Sequence, residues 1–408
     1  MKTRLSFCRH DVAAWCVFAV YAASSLSIPV VLVQMAESLD FPLAEGGMGI
    51  GGSLQAVRSV AMCLAMGAMC FVAATLGNRR PLGVACLMMG AGILMVAFAP
   101  SWRLALPMLL VAGLGEGVIE GLATPFVQNL HEKEPGRYIN FAHGFWSLGT
   151  FGFVILAGLA LVSGVSWRVI VGAVGLAAVP CALLLRLPIG MPYPEKRGGR
   201  SFGETVAAVR EIVSIRRFWL FFAAMIFAGG GEYCLTFWAA SFIQLNFAAS
   251  ALAGAIGTSA FAAGMFTGRT GFAAVVPQSR LKELVVAVGI FGAVVAAMLP
   301  LMASHLAAVP QALRLPALFV LLYLAGIGSA PFWPSIQSLT VDRLPHIDST
   351  LAFIILSCAV VPGCGAFSWL MGVVDDKFGL QFSYCLVPMC YVAMVALVIA
   401  GDRNNARE

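Results

Sequence analysis

Residues 188–216 read PIGMPYPEKRGGRSFGETVAAVREIVSIR, the longest polar stretch in the chain. The sequence on either side of it is almost continuously apolar. Its near-central position therefore decides the architecture: two apolar halves of similar length, joined by one charged linker. Residues 201–216 read either as an amphipathic helix lying on a membrane surface or as a charged, solvated connection.

Working outward, the 408 residues are 60% hydrophobic and only 11% charged. That is about half the charge of a soluble domain, which places the chain among polytopic membrane proteins. Apolar runs fall at 12–33, 47–76, 81–100, 103–130, 138–163, 167–187, 217–243, 250–276, 282–303, 315–340, 349–374 and 379–400. Each is close to the ~20 residues needed to cross a bilayer. The first run is longer than a secretory signal core and is expected to be an uncleaved first span. The expected fold is an all-α membrane protein with twelve transmembrane helices in two six-helix bundles. Residues 1–187 form the N-terminal bundle, 188–216 a cytoplasmic linker and 217–408 the C-terminal bundle.

Lysine and arginine set the orientation, since cytoplasmic loops carry their excess. With the N-terminus inside, 19 of the 25 fall on the cytoplasmic side, 4 outside, and Arg58 and Arg269 within spans. Both termini are thus expected to be cytoplasmic, in a multi-pass protein of the inner (plasma) membrane. The net charge of +6 belongs to these loops and gives no sign of nucleic-acid binding. The 11 cysteines are scattered without a CxxC pair. Cys63, Cys70, Cys86, Cys181, Cys234, Cys358 and Cys364 lie in apolar runs and read as small buried hydrophobes, not disulfides or metal ligands.

The halves carry traces of repetition. Span 4 contains AGLGEG (112–117) and PFVQNL (125–130); span 10 contains AGIGSA (325–330) and PSIQSL (334–339). Two related six-span halves suggest a secondary transporter, with small-molecule substrate bound near the midplane between them.

Ionisable residues inside spans are functional candidates, because hydrocarbon tolerates them only when paired, hydrated or neutral. Here they are Arg58, Glu116, Glu120, His143, Glu232 and Arg269. Glu116 lies near mid-span, and Glu120 is one turn closer to the cytoplasm on the same face. Two such acids require a protonated carboxyl or a nearby cation. Arg58, at similar depth, is the expected partner of Glu116. His143 lies level with Glu120 and suits proton exchange with the cytoplasm. Glu232 follows Gly229-Gly230-Gly231, which leaves backbone open to a ligand or a neighbouring helix. Arg269 is expected to snorkel toward the cytoplasm. Trp146, Trp238 and Trp333 offer flat faces for stacking, and Gln337 offers an amide for hydroxyls. Gln128, Asn129 and Asn140 lie nearer the cytoplasmic end.

The run VIEGLATPFVQNL (118–130), a short polar break and YINFAHGFWSLGTFG (138–152) resemble the fourth-to-fifth span region of the fucose–galactose–glucose:proton symporter family. That family is a branch of the major facilitator superfamily. Glu120 stands at the family's glutamate and Thr124-Pro125-Phe126 at its NPF turn; Asn140, Ala142, Phe145, Ser147 and Gly149 match its fifth-span pattern. Gly231-Glu232 and Pro334–Leu339 resemble its seventh- and tenth-span motifs more loosely. The resemblance implies a sugar:proton symporter in which Glu120 carries the proton or helps bind sugar. The chain departs from the pattern at His143 and Trp146, where the family has Gln and Asn, and it lacks a first-span aspartate.

The expected function is proton-coupled uptake of a sugar or similar small polar metabolite by alternating access, by a monomer in the lipid bilayer. Glu120, Glu116, Arg58 and His143 are the proton-coupling candidates. Glu232, Trp238, Trp333, Trp146 and Gln337 are the substrate-binding candidates. Two alternatives stay open: an exporter or carrier of organic anions or amphiphiles, and a non-transporting membrane sensor. The sequence shows no nucleophile–base pair, metal-ligand spacing or phosphate-cradling loop, so neither an enzyme nor a cofactor is expected.

Overall fold

A computed structural model describes residues 6–131, 135–186, 201–276, 278–305 and 310–403. Residues 188–200 of the linker lie outside them. Among the described residues, twelve helices are long and apolar enough to cross a membrane. In order, spans 1 to 6 are Arg9–Ser38, Met48–Leu76, Arg79–Ala97, Trp102–Leu130, Pro135–Val162 and Trp167–Arg186. Spans 7 to 9 are Arg216–Asn246, Ala251–Val275 and Leu281–Ser304. Span 10 is broken into Gln311–Ser329 and Phe332–Arg343; spans 11 and 12 are Ser349–Phe378 and Leu386–Arg403. Six spans precede the linker and six follow it. Because the number of crossings is even, span 1 begins and span 12 ends on one side of the bundle, the termini face; the other side is the far face.

Local chemistry sets the helix ends. The linker contains a helix, Phe202–Ser214. It starts with a capping box: the Glu204 amide donates to Ser201 Oγ at 3.2 Å and the Ser201 amide to Glu204 Oε2 at 2.6 Å. Ser250 and Asp348 cap spans 8 and 11 without the reciprocal bond, accepting from the amides of Ala253 and Leu351. Span 10 breaks at Ala330-Pro331, where proline has no amide to continue the ladder. Span 4 runs unbroken through Pro107 and Pro125, so the sequence repeat between spans 4 and 10 does not extend to backbone shape.

On the termini face, arginines occupy the carbonyl ends of helices. Arg79 donates to the carbonyls of Leu185 and Arg186 at the end of span 6. Arg217 donates to Gly401 O at 2.6 Å at the end of span 12. Cations at helix C-termini satisfy orphan carbonyls and complement the dipole.

Spans 2 and 11 form a long seam between the halves. A Cβ on Gly52 would meet Trp369 Cα at 2.6 Å, so this approach admits only glycine. At the far end of the seam, Asp376 accepts from the amides of Met48 at 3.0 Å and Gly49 at 2.7 Å. A carboxylate from one half thus caps a helix N-terminus of the other. Gln34 Nε2 of span 1 donates to Gln244 Oε1 of span 7 at 3.2 Å. Span 5 meets span 8 where Gly158 abuts Ala255. Together these contacts close the far face.

Candidate functional site

The ionisable candidates of the spans gather into one cluster, starting from Glu116. Gly113 and Gly117 let span 4 lie directly against the span 2 backbone at Arg58 and Met62. That contact sets Glu116 facing Arg58. Arg58 Nε donates to Glu116 Oε2 at 2.6 Å, and its Nη2 donates to Oε1. Ser24 Oγ, from span 1, adds a hydrogen bond to Oε1 at 2.6 Å. Arg58 also donates to Ser25 O at 3.3 Å and to Ser24 Oγ at 3.3 Å. Both side chains are fully enclosed, Arg58 at 1% and Glu116 at 0% exposure. The forked guanidinium matches both carboxylate oxygens, so the pair is internally satisfied.

Glu120, one turn on, is half-buried. Tyr21 of span 1 lies beside it and acts on it electrostatically. Among the described residues it makes no ion pair, although Arg269 of span 8 acts on it electrostatically from the opposite half. His143 does not bond Glu120. Its Nε2 is hydrogen-bonded to Thr124 Oγ1 at 3.0 Å, and its ring lies 4.6 Å from that of Phe18. His143 is exposed and also within the field of Arg269, which places it on the wall facing the other half.

Across the gap, Arg269 Nη2 lies 3.5 Å from Glu232 Oε1, and its Nε donates to Ala330 O at 3.3 Å. Arg269 therefore turns inward and does not snorkel. The broken end of span 10 supplies the carbonyl that orients it. Glu232 and Arg269 side chains are 15% and 32% exposed, which makes this pair much looser than Arg58–Glu116. Tyr233, beside Glu232, lies within electrostatic range of Arg58, Glu116 and Glu232. The triple glycine before it serves helix packing: Gly230 lies against Phe367 and Gly231 against Tyr391.

The other candidates are more dispersed. Trp238 is fully buried, and its indole N–H donates to Ser368 O at 3.0 Å. Its ring meets Gly51 of span 2, so it fills the far end of the seam and is not an accessible wall. Trp146 and Trp333 are half-buried, Trp146 at the edge of a core built mainly from the first half and Trp333 at the edge of a core that spans both halves. Gln337 donates to Ser357 Oγ at 2.9 Å and Phe353 O at 3.4 Å, joining spans 10 and 11. The side chains of Gln128 and Asn140 lie outside the described residues.

The central cluster thus comprises Tyr21, Ser24, Arg58, Glu116, Glu120 and His143 from the first half, with Glu232, Tyr233 and Arg269 from the second. Sequence reasoning missed Tyr21 and Tyr233. The signal for Tyr233 was adjacency to Glu232; Tyr21 had only its place one turn before Ser24-Ser25. The cluster can hold protons on surplus carboxyl and offer hydroxyl, imidazole and carboxylate groups to a polar ligand.

The fold matches that of known transporters. A D-xylose:proton symporter superposes with a TM-score of 0.76 at 14% identity, over 96% of each chain. A bacterial homolog of the human lysosomal transporter spinster, inward-facing and occupied, gives 0.71 at 14% identity over 97% of each. The Escherichia coli fucose:proton symporter gives 0.64 at 16% identity, over 96% of this chain and 98% of that one. At such identities the likeness speaks to fold. No curated protein matches the sequence. The sequence profile described as Major Facilitator Superfamily matches residues 13–346, and with twelve spans in two six-helix bundles the chain belongs to that superfamily of membrane transporters.

Proposed function

We propose that this transporter takes up a sugar or similarly small, polar, uncharged metabolite together with a proton. The observation that carries the reading is a charge count in the cluster. Arg58 pairs with Glu116 and Arg269 with Glu232. Among the described residues Glu120 makes no ion pair and is left as a surplus carboxylate, half-buried beside Tyr21. A surplus buried acid is stable when protonated or when a cation approaches it. The organic-anion reading needs a free intramembrane cation, and both arginines are engaged.

Coupling follows from Arg269. With Glu120 ionised, Arg269 is drawn from Glu232 toward the opposite half and favours one arrangement of the halves. With Glu120 protonated, Arg269 rests on Glu232 and the halves are released to rock. Differential interaction with two states is what coupling requires. His143, hydrated and on the same wall, relays the proton to and from solvent. Lysine and arginine bias puts the termini face in the cytoplasm, so with the far face closed the cavity is reached from the cytoplasm. Glu232, Trp146, Trp333 and Gln337 contribute to binding, and Trp238 closes the outer seam. The domains divide at the 188–216 linker.

The test is uptake into proteoliposomes with an imposed pH gradient, screening labelled pentoses and hexoses against organic acids. A neutral sugar should accumulate in wild type, and Glu120→Gln should abolish gradient-driven accumulation. Undiminished accumulation in that variant would refute the proton role of Glu120. Accumulation of acids only would refute the substrate class.

A further inference from the structure

The scattered cysteines do not stay apart in the fold. Cys63 of span 2 points across the seam at span 11, with its Sγ 3.5 Å from the carbonyl oxygen of Cys358. The two thiols also lie within electrostatic range of each other. Both are half-buried, unlike Cys86, Cys181, Cys234, Cys364 and Cys390, which are buried. Cys70, two turns along the same face of span 2, lies within electrostatic range of Cys358. Cys63 and Cys358 thus read as a facing dithiol, where the sequence suggested inert packing.

The chain's halves must move past each other along this seam for alternating access. A disulfide holds its two Cα atoms within about 4.4–6.8 Å, a limit no rocking of the halves can stretch. We propose that Cys63 and Cys358 form a modification site, which two-electron thiol oxidants convert to a disulfide joining the halves and arresting them with the far face closed. The chemistry balances with an azodicarbonyl oxidant such as diamide. The Cys63 thiolate adds to one nitrogen of the N=N bond. The Cys358 thiolate then attacks the Cys63 sulfur, and the S–N bond breaks. Two electrons and two protons pass from the thiols to the leaving hydrazine. A thiol reductant reverses the change by exchange. The site does not depend on which substrate is carried.

The test uses the full chain with a specific protease site inserted between residues 188 and 200. After diamide and cleavage, wild-type halves should run as one linked species without reductant and as two fragments with dithiothreitol. Cys63→Ser and Cys358→Ser should each remove the link, and Cys70→Ser should retain it. Amide exchange at 48–52 and 368–376 should slow by about tenfold in the linked form, because opening of the far face is blocked. Halves that separate without reductant after diamide would overturn the site. So would a link that survives in Cys63→Ser or Cys358→Ser, or one lost in Cys70→Ser. Unchanged exchange in the linked form would overturn the arrest.

Discussion

The two ion pairs at the centre of the molecule have the same chemistry and opposite surroundings. Arg58–Glu116 lies within one half, fully enclosed, with each carboxylate oxygen receiving guanidinium donors and Ser24 closing the set. Arg269–Glu232 lies at the wall of the other half, part-exposed, at 3.5 Å and with one backbone carbonyl as its guide. An enclosed, saturated pair cannot exchange partners without stranding a charge in hydrocarbon. A loose, hydrated pair can. The first pair is therefore a fixture of the fold, and the second is the movable part. This divides the acids of span 4 as well: Glu116 is committed to Arg58, and Glu120 makes no ion pair among the described residues.

The largest expected effect comes from breaking the fixture. Glu116→Gln leaves Arg58 uncompensated and should cost about 3–5 kcal/mol of stability, measured by thermal melting in detergent. If the loss is under about 1 kcal/mol, the pair is not a fixture and the comparison collapses. Replacing both partners, Arg58→Met with Glu116→Leu, should recover most of that loss, since an apolar pair of similar volume carries no desolvation cost.

A smaller effect belongs to the far face. Asp376→Ala removes two amide acceptors at the start of span 2 and should cost about 0.5–2 kcal/mol, as loss of a helix cap does. It should also raise amide exchange at residues 48–52. Unchanged exchange there would show that the cap does not hold the halves together.

The movable pair should barely register in stability. Arg269→Gln is expected to shift it by at most about 1 kcal/mol, as for an exposed pair, while abolishing gradient-driven uptake. A loss as large as that of Glu116→Gln would make the two pairs equivalent. The smallest structural effect is expected for Glu120→Gln, which breaks no ion pair. Its melting temperature should match wild type, while its counterflow exchange of substrate loses dependence on pH. Persistent pH dependence in that variant would move the proton to His143 or Glu232.

Much of this architecture was legible in the chain because lipid imposes it. Apolar runs, basic loops and a single polar linker are enough to count spans and divide halves. The Arg58–Glu116 pair was legible too, since depth along two spans brings the cation level with the acid. Rotation about the helix axis was not. Depth alone suggested that Arg269 would snorkel, and nothing in the span 8 sequence shows its face turned to Glu232. The break in span 10 at Pro331 decides where the Ala330 carbonyl points, and the matching motif in span 4 hid that difference. Tyr21 and Tyr233 were overlooked because a tyrosine in an apolar run looks like packing until the fold sets it within the field of a carboxylate. Trp238 was read as a stacking surface, yet a ring deep within a span can face the cavity or the seam with equal sequence support.

Trp238 has a practical consequence. Its ring lies against Gly51 and its indole N–H is tied to Ser368 O, so both halves shape its surroundings. Parting of the far face would hydrate the ring and free the N–H at once. An indole so placed shifts its emission to the red when water arrives, which makes it a native optical probe of opening. With eight tryptophans in the chain, subtracting the spectrum of Trp238→Phe would isolate that signal. Stopped-flow fluorescence could then time each cycle of the unlabelled protein.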